Sequence, residues 1–254
     1  MCNGKQCGDD GCGGNCGERA SGSLCVTSTG QCQVFADCQH DAPKCLPACG
    51  AGEFCGSDCS CHEAAAAMPD LVLNKDRLSS EILFDSVDVS EASCSWIEQC
   101  VDCLGKRKMM RFSVEALNPG QATLTVPPPP ERPDLFTFSD CHGHYHFLGF
   151  AAYSLLDKDG KTIATGRKQA YCMEDTEQIA FGPNIPCTKR YNCEEQGIQA
   201  GWSDLYGNTL DCQWLDVTDV PAGDYFLEVS LNPSHSFEEV SFTNTSARVP
   251  VTIP

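Results

Sequence analysis

Long apolar runs are missing from this 254-residue chain. No stretch approaches the ~20 apolar residues that a membrane helix needs, so a membrane partner is not expected. Positive charge is scarce. Lys and Arg total 17 against 35 Asp and Glu, a formal net charge of −18. A polyanion gains nothing from counterion release, which argues against nucleic acid as a partner. It attracts basic proteins and amines instead, over a distance set by salt. Helical periodicity is also lacking: after residue 68 no amphipathic helix holds for more than two turns. Nor do the cysteines fall into clean paired C-x2-C knuckles, which disfavours a cytosolic multi-zinc protein.

What the chain does hold is cysteine. Its 20 cysteines are about 8 % of the residues, near the level of a disulfide scaffold. That usage points to an oxidising compartment and a secreted protein. Met1-Cys2 opens directly into cysteine-rich sequence, so no secretory leader is expected within it. The expectation is a mature form, or a cut-down piece of a longer exported protein. Residues 1–62 carry cysteines at 2, 7, 12, 16, 25, 32, 38, 45, 49, 55, 59 and 61, with Gly, Asp, Asn and Ser between them. Such a segment forms no core of its own and must be stapled, though its pairing is open. The runs Cys7 to Cys16 and Cys49 to Cys55 resemble short Gly/Cys repeats of secreted bacterial proteins. A binding or spacer role is the default. Residues 63–67 read as a linker, and a second domain is expected over 68–254.

There the texture is β. Met110 to Leu117 alternates and stops at the turn Asn118-Pro119-Gly120. Ala122 to Val126 is a short strand ended by Pro127 to Pro130, which bar any ladder. Phe147 to Leu156 is apolar and turns at Asp159-Gly160, predicting a hairpin with Lys161 to Ala164. Tyr225 to Leu231 places Leu227, Val229 and Leu231 on one face. Between Cys172 and Gly207 no period holds, and a loop that long is usually functional. Short helical turns fit between Asp85 and Cys103. The fold class is therefore mainly β: a disulfide-rich, β-sandwich-like domain with long irregular loops, preceded by a small cysteine-rich segment.

Chemistry concentrates in Asp140-Cys141-His142-Gly143-His144-Tyr145-His146, which holds three of the six histidines. At i, i+2 and i+4 on an extended stretch, His142, His144 and His146 share one face. Imidazole suits copper, zinc, iron or nickel, and copper(II) is bound most tightly of the divalent series. Gly143 gives the backbone room to bend, and Cys141 offers an anchor. The bland alternative is a His-rich surface strand. Spacing alone does not choose the metal.

Further blocks join this one: Pro69 to Asn74, Arg111-Phe112-Ser113, Asn118 to Gln121, Gly166 to Thr176, Asp204 to Gly207, Asp211 to Val220 and Gly223-Asp224-Tyr225. In this order they resemble the lysyl oxidase family over almost all of 68–245, with the first 62 residues outside. The family comprises secreted copper amine oxidases with a largely β catalytic domain. They convert the ε-amine of peptidyl lysine to an aldehyde, releasing ammonia and hydrogen peroxide. Their organic cofactor is lysine tyrosylquinone, built from the enzyme's own lysine and tyrosine. The resemblance implies His142, His144 and His146 as copper ligands, with zinc able to substitute. It implies Lys168 and Tyr206 as the quinone's precursors, and dioxygen and a lysine-containing protein, peptide or small primary amine as partners. Asp204, two residues before Tyr206, is the candidate base; its bland role is to hydrogen-bond a loop.

The chain also departs from the family. Phe138-Ser139 stand where Trp-His is usual. Gln178 and Trp202 occupy the positions of a cysteine pair that clamps the cofactor loop. For the other cysteines the resemblance suggests Cys94–Cys141, Cys100–Cys212 and Cys172 with Cys187 or Cys193, leaving Cys103 the remainder. A calcium site is a further expectation: Asp70, Leu71, Glu239 and Asn244 match family ligands, while Ser241 and Thr245 replace stronger ones. Asn244-Thr245-Ser246 also fits a glycosylation sequon. Against the oxidase reading stands a secreted metal-binding scaffold or matrix-binding module without oxidase activity.

Overall fold

The computed structural model describes residues 67–166, 171–180 and 185–254, together with four short strands upstream. The expected stapling of residues 1–62 lies outside the described residues, as does Lys168. The chain divides into two units, 1–67 with 180–188 and 68–179 with 189–254. In the first, β1 (Ser23–Val26) pairs with β2 (Gln31–Val34), and β3 (Glu53–Cys55) with β4 (Cys61–Glu63).

The second unit is mainly β and antiparallel throughout its described pairings. One four-stranded sheet runs β13 (Thr162–Thr165), β12 (Ala151–Leu156), β18 (Gly223–Leu231), β19 (Ser246–Ile253). A second runs β14 (Glu177–Gln178), β16 (Trp202–Tyr206), β8 (Val114–Asn118), β5 (Val72–Leu73). A three-stranded sheet orders β17 (Trp214–Asp216), β7 (Gly105–Arg111) and β6 (Leu83–Val89). Two pairs complete it: β15 (Gly197–Ile198) with β9 (Leu124–Thr125), and β10 (Phe136–Ser139) with β11 (His144–Phe147). The described helices are short, α1 (Lys75–Ser80) and α2 (Cys94–Ile97). Asn74 caps α1 by accepting the Arg77 N–H at 3.1 Å.

Leu227, Val229 and Leu231 are all buried, as their alternation requires. They meet Leu155, Tyr153 and Phe112 in one core, where Phe112 and Tyr153 pack edge to face at 5.0 Å. The hairpin at Asp159-Gly160 forms; Gly160 takes φ +80°, and Asp157 Oδ1 accepts the N–H groups of Asp159 and Lys161.

The run Met110 to Leu117 is not one strand. It passes from β7 to β8 at Phe112-Ser113 and so joins two different sheets. Both of its faces are buried, so polar Ser113 and Glu115 lie inside and need partners. Glu115 accepts from Asn74 Nδ2 at 2.7 Å and Ser203 Oγ at 2.8 Å, and pairs with Arg77 Nε at 2.8 Å. This one carboxylate ties α1, β8 and β16 together, and β16 carries Tyr206.

Candidate metal centre

The three histidines sit on a hairpin. Ser139 pairs with His144 and Thr137 with His146 across β10 and β11, so residues 140–143 form the loop. Strand alternation accounts for His144 and His146 alone. His142 belongs to the loop, and it is Gly143, at φ +74°, that turns it back toward the other two. The extended stretch expected over this run therefore holds for His144 and His146 and not for His142. The Cys94–Cys141 bridge pins the loop to α2.

The imidazole nitrogens converge. His142 Nδ1 lies 3.3 Å from His146 Nε2, which lies 3.1 Å from His144 Nε2. Ligand atoms around a tetrahedral ion with ~2.0–2.1 Å bonds stand about 3.3 Å apart, so this donor set fits copper or zinc. Exposure grades from exposed His142 through half-buried His144 to buried His146. Two other clusters near this hairpin have metal-like spacing, His144 with Cys172 and Cys193, and Glu98 with Cys100 and Cys212. Their cysteines are bridged as Cys172–Cys193 and Cys100–Cys212, so they offer no thiolate.

Behind His142 stands Ser139, in place of the family's upstream histidine. Its hydroxyl accepts the His142 N–H at 3.1 Å, donates to Glu98, and lies 3.3 Å from His142 Nδ1. Glu98 Oε1 is 3.6 Å from the same nitrogen. Sequence reasoning missed Glu98. The signal was present, because Glu98 lies between Cys94 and Cys100, whose partners flank the site.

An aromatic row leads inward from the metal set. The Tyr171 ring lies 6.2 Å from that of His146 and 4.8 Å from that of Tyr206, and Phe150 follows at 5.7 Å from Tyr206. The Phe147 N–H bonds the Tyr171 carbonyl at 2.8 Å, zipping the segment after residue 170 onto β11. Tyr206 and Asp204 are two residues apart on β16 and share a face. The Tyr206 hydroxyl donates to Asp204 Oδ2 at 2.6 Å and reaches the Cys172 carbonyl at 3.3 Å. Burial pushes the Asp204 carboxyl well above the usual carboxylate range, and burial followed by the Asp204 charge does the same to the Tyr206 phenol. Asp204 Oδ1 is buried and has no hydrogen-bond partner among the described residues.

The irregular stretch after Cys172 is held from within. Cys172 is bridged to Cys193. Asp175, fully buried, accepts the N–H groups of Arg190, Tyr191 and Gln199 and the Gln199 side-chain amide. Gln178 and Trp202, which replace the family's cysteine pair, are direct cross-strand partners in β14 and β16. The geometry for that clamp persists without its covalent bond. Cys103 takes no leftover partner among the described residues; it is exposed and outside the three bridges.

The residues expected at calcium also meet. Asn244 Nδ2 donates to both Asp70 oxygens at 3.1 and 3.2 Å, and Glu239 accepts from the Leu71 N–H at 2.9 Å and Asn232 Nδ2 at 2.8 Å. Asn244 Oδ1 is buried without a partner among the described residues. Rotating that amide by half a turn would aim its oxygen at the Asp70 carboxylate, an arrangement that suits a cation between them. Ser241 and Thr245 are occupied with Thr243 and the Phe242 carbonyl.

The β domain thus brings three histidines to metal-ligand spacing, with a buried phenol–carboxyl pair one aromatic ring away. The lysyl oxidase family model matches residues 69–253, and the chain belongs to that family. Lysyl oxidase homolog 2 of Gallus gallus is 34% identical over 231 residues, covering 86% of this chain and 28% of the relative. The Mus musculus protein of that name is 35% identical over 222 residues, covering 83% and 27%. The Homo sapiens one is 33% identical over 220 residues, covering 83% and 27%. The chain thus spans under a third of the length of these relatives. Among solved structures, a CARDB domain from Pyrococcus furiosus in complex with di-metal ions is matched over 73% of this chain and 88% of that one, at 11% identity and a TM-score of 0.23. That likeness is too slight to bear on the fold or the site.

Proposed function

We propose that this chain is a secreted copper amine oxidase. It deaminates the ε-amine of peptidyl lysine, or a related primary amine, to an aldehyde with release of ammonia and hydrogen peroxide. The observation that carries this reading is the convergence of three imidazole nitrogens one aromatic ring away from Tyr206. His142, His144 and His146 would hold copper, which would supply one-electron chemistry with dioxygen, and a quinone derived from Lys168 and Tyr206 would supply the electrophilic carbonyl for the substrate amine.

The chain's own residues do the rest. The Asp204 hydrogen bond fixes the direction of the Tyr206 hydroxyl and so the rotation of its ring. Buried Phe150 and the half-buried Tyr171 ring flank the buried Tyr206 ring and shield the phenol from bulk water. A carboxyl that holds its proton above the normal range is a suitable partner for proton transfer near neutral pH, so Asp204 is assigned as the base. Lys168 would contribute its amine, which is nucleophilic only in the neutral form. Asp70, Leu71, Glu239 and Asn244 would hold calcium as a brace between the start of the domain and the segment before β19.

Peroxide release from a copper-loaded, aerated sample tests the proposal. Turnover of an alkyl amine or a lysine-rich protein is expected from the wild type and absent from Lys168→Ala. A wild type that binds copper yet turns over neither substrate contradicts it and favours the metal-binding scaffold.

A further inference from the structure

A hollow of about 1270 Å³ runs beside the metal hairpin. One wall is β10, an edge strand paired, among the described residues, with β11 alone. The other is the segment from Trp96 to Asp102. Three apolar side chains stand open at this hollow, Ile97 at 53%, Phe138 at 50% and Leu148 at 39% exposure. Around them lie the exposed acids Glu91, Asp102 and Asp140. No Lys or Arg is among the described residues that line it. At the end of β10, Ser139 lines the same hollow and lies 3.3 Å from His142 Nδ1, so the groove abuts the metal set.

We infer that this groove docks an extended protein segment carrying alternating basic and apolar side chains, laid along the free edge of β10. The inference rests on the proposed oxidation of peptidyl lysine and says how such a lysine is presented. An edge strand offers its main chain to an incoming strand, and recognition of the alternate side chains then gives selectivity. The four residues of β10 match a docked stretch of roughly 13 Å. The wall chemistry selects the occupant. An acidic strand would be repelled by this negative rim, and a basic–apolar one meets both the acids and the apolar side chains. A short amine lacks the flanks to use the groove, so peptide and small-amine substrates should separate at this point.

The test uses the full chain with an arginine–valine alternating peptide, which keeps the charge and cannot be oxidised at lysine. Its binding is compared between wild type and the double variant Glu91→Lys, Asp102→Lys, both exposed and outside the metal and phenol machinery. Binding by the variant should weaken about tenfold at low salt, with the difference shrinking at high salt. The neutral pair Glu91→Gln, Asp102→Asn should show a smaller loss, and Ile97→Ser tests the apolar wall independently. In turnover, KM for a lysine–valine peptide should rise in step while kcat/KM for butylamine stays within about twofold. Unchanged peptide binding in the charge-reversed variant overturns the proposal. So does equal binding of a glutamate–valine peptide, or a parallel loss for peptide and butylamine. If the wild type oxidises no amine, the proposed function fails, and the binding measurement still decides the groove.

Discussion

The metal set and the phenol pair are neighbours built in opposite ways. All three histidines lie within five consecutive residues, on one hairpin, with only His146 buried. Tyr206 and Asp204 lie on a central strand, are both buried, and meet groups drawn from Phe150, Tyr171 and Cys172. The first half is local and open; the second is long-range and closed. Changes in the hairpin should therefore act on metal and leave the fold, whereas changes on β16 act on chemistry and stability together.

The largest effect is expected from Tyr206→Phe. Removing the hydroxyl abolishes quinone formation, so the visible quinone band and amine turnover both vanish while bound copper, measured by elemental analysis, stays near the wild-type level. Survival of the band would move the oxidised phenol elsewhere, with Tyr171 the nearest alternative. Next is His144→Ala, which should weaken copper binding by a hundredfold or more, since even outer partners of metal ligands are worth about 10–100-fold. The metal-free melting temperature should barely change. A large fall in that temperature would show that the hairpin is not a local module.

Asp204→Asn sharpens the contrast from the closed side. Loss of a general base costs roughly 10²–10⁴ in rate. Stability carries a sign as well. The folded chain keeps a proton on Asp204 that the unfolded chain releases above pH ~3.9. Between that pH and the raised folded value the native state binds more protons, so this group makes stability fall as pH rises. The wild type should thus lose stability more steeply than Asp204→Asn as pH climbs above ~4, read by denaturant unfolding of the metal-free protein. Parallel curves would contradict the assignment.

How much of this was legible in the sequence follows the same division. The spacing of His144 and His146 puts both on one face of a strand, and that much was legible as a candidate metal set. The loop position of His142 was not legible, since an isolated Gly143 signals a bend without fixing its direction. Leu227, Val229 and Leu231 gave their buried face by alternation. Met110 to Leu117 misled, because a strand buried on both faces can alternate polar and apolar residues when Glu115 finds partners as distant as Asn74 and Ser203. The role of Tyr206 has no local signature at all and came through family resemblance. Glu98 and the Tyr171 ring became visible only when cross-links and sheet register brought distant segments together.

Two smaller effects probe what supports each half. Replacing Cys172 and Cys193 together by serine should cost about 2–4 kcal/mol of stability in denaturant titration, with Asp175 still holding the loop. Ser139→Ala removes the hydroxyl that links Glu98 to the His142 N–H. It should lower copper affinity by about tenfold, the low end for an outer partner, with no loss of fold. A stronger effect than that of His144→Ala would reverse this order of importance and make the serine, not the imidazole, the main determinant of affinity.

The central claim is that a lysine and a phenol distant in sequence are joined beside the metal set. Peptide mass spectrometry after copper loading in air measures this directly. The account predicts one cross-linked species containing both Lys168 and Tyr206, absent from the metal-free sample. Recovery of the two peptides separate and unmodified, from protein shown to hold copper, would contradict it.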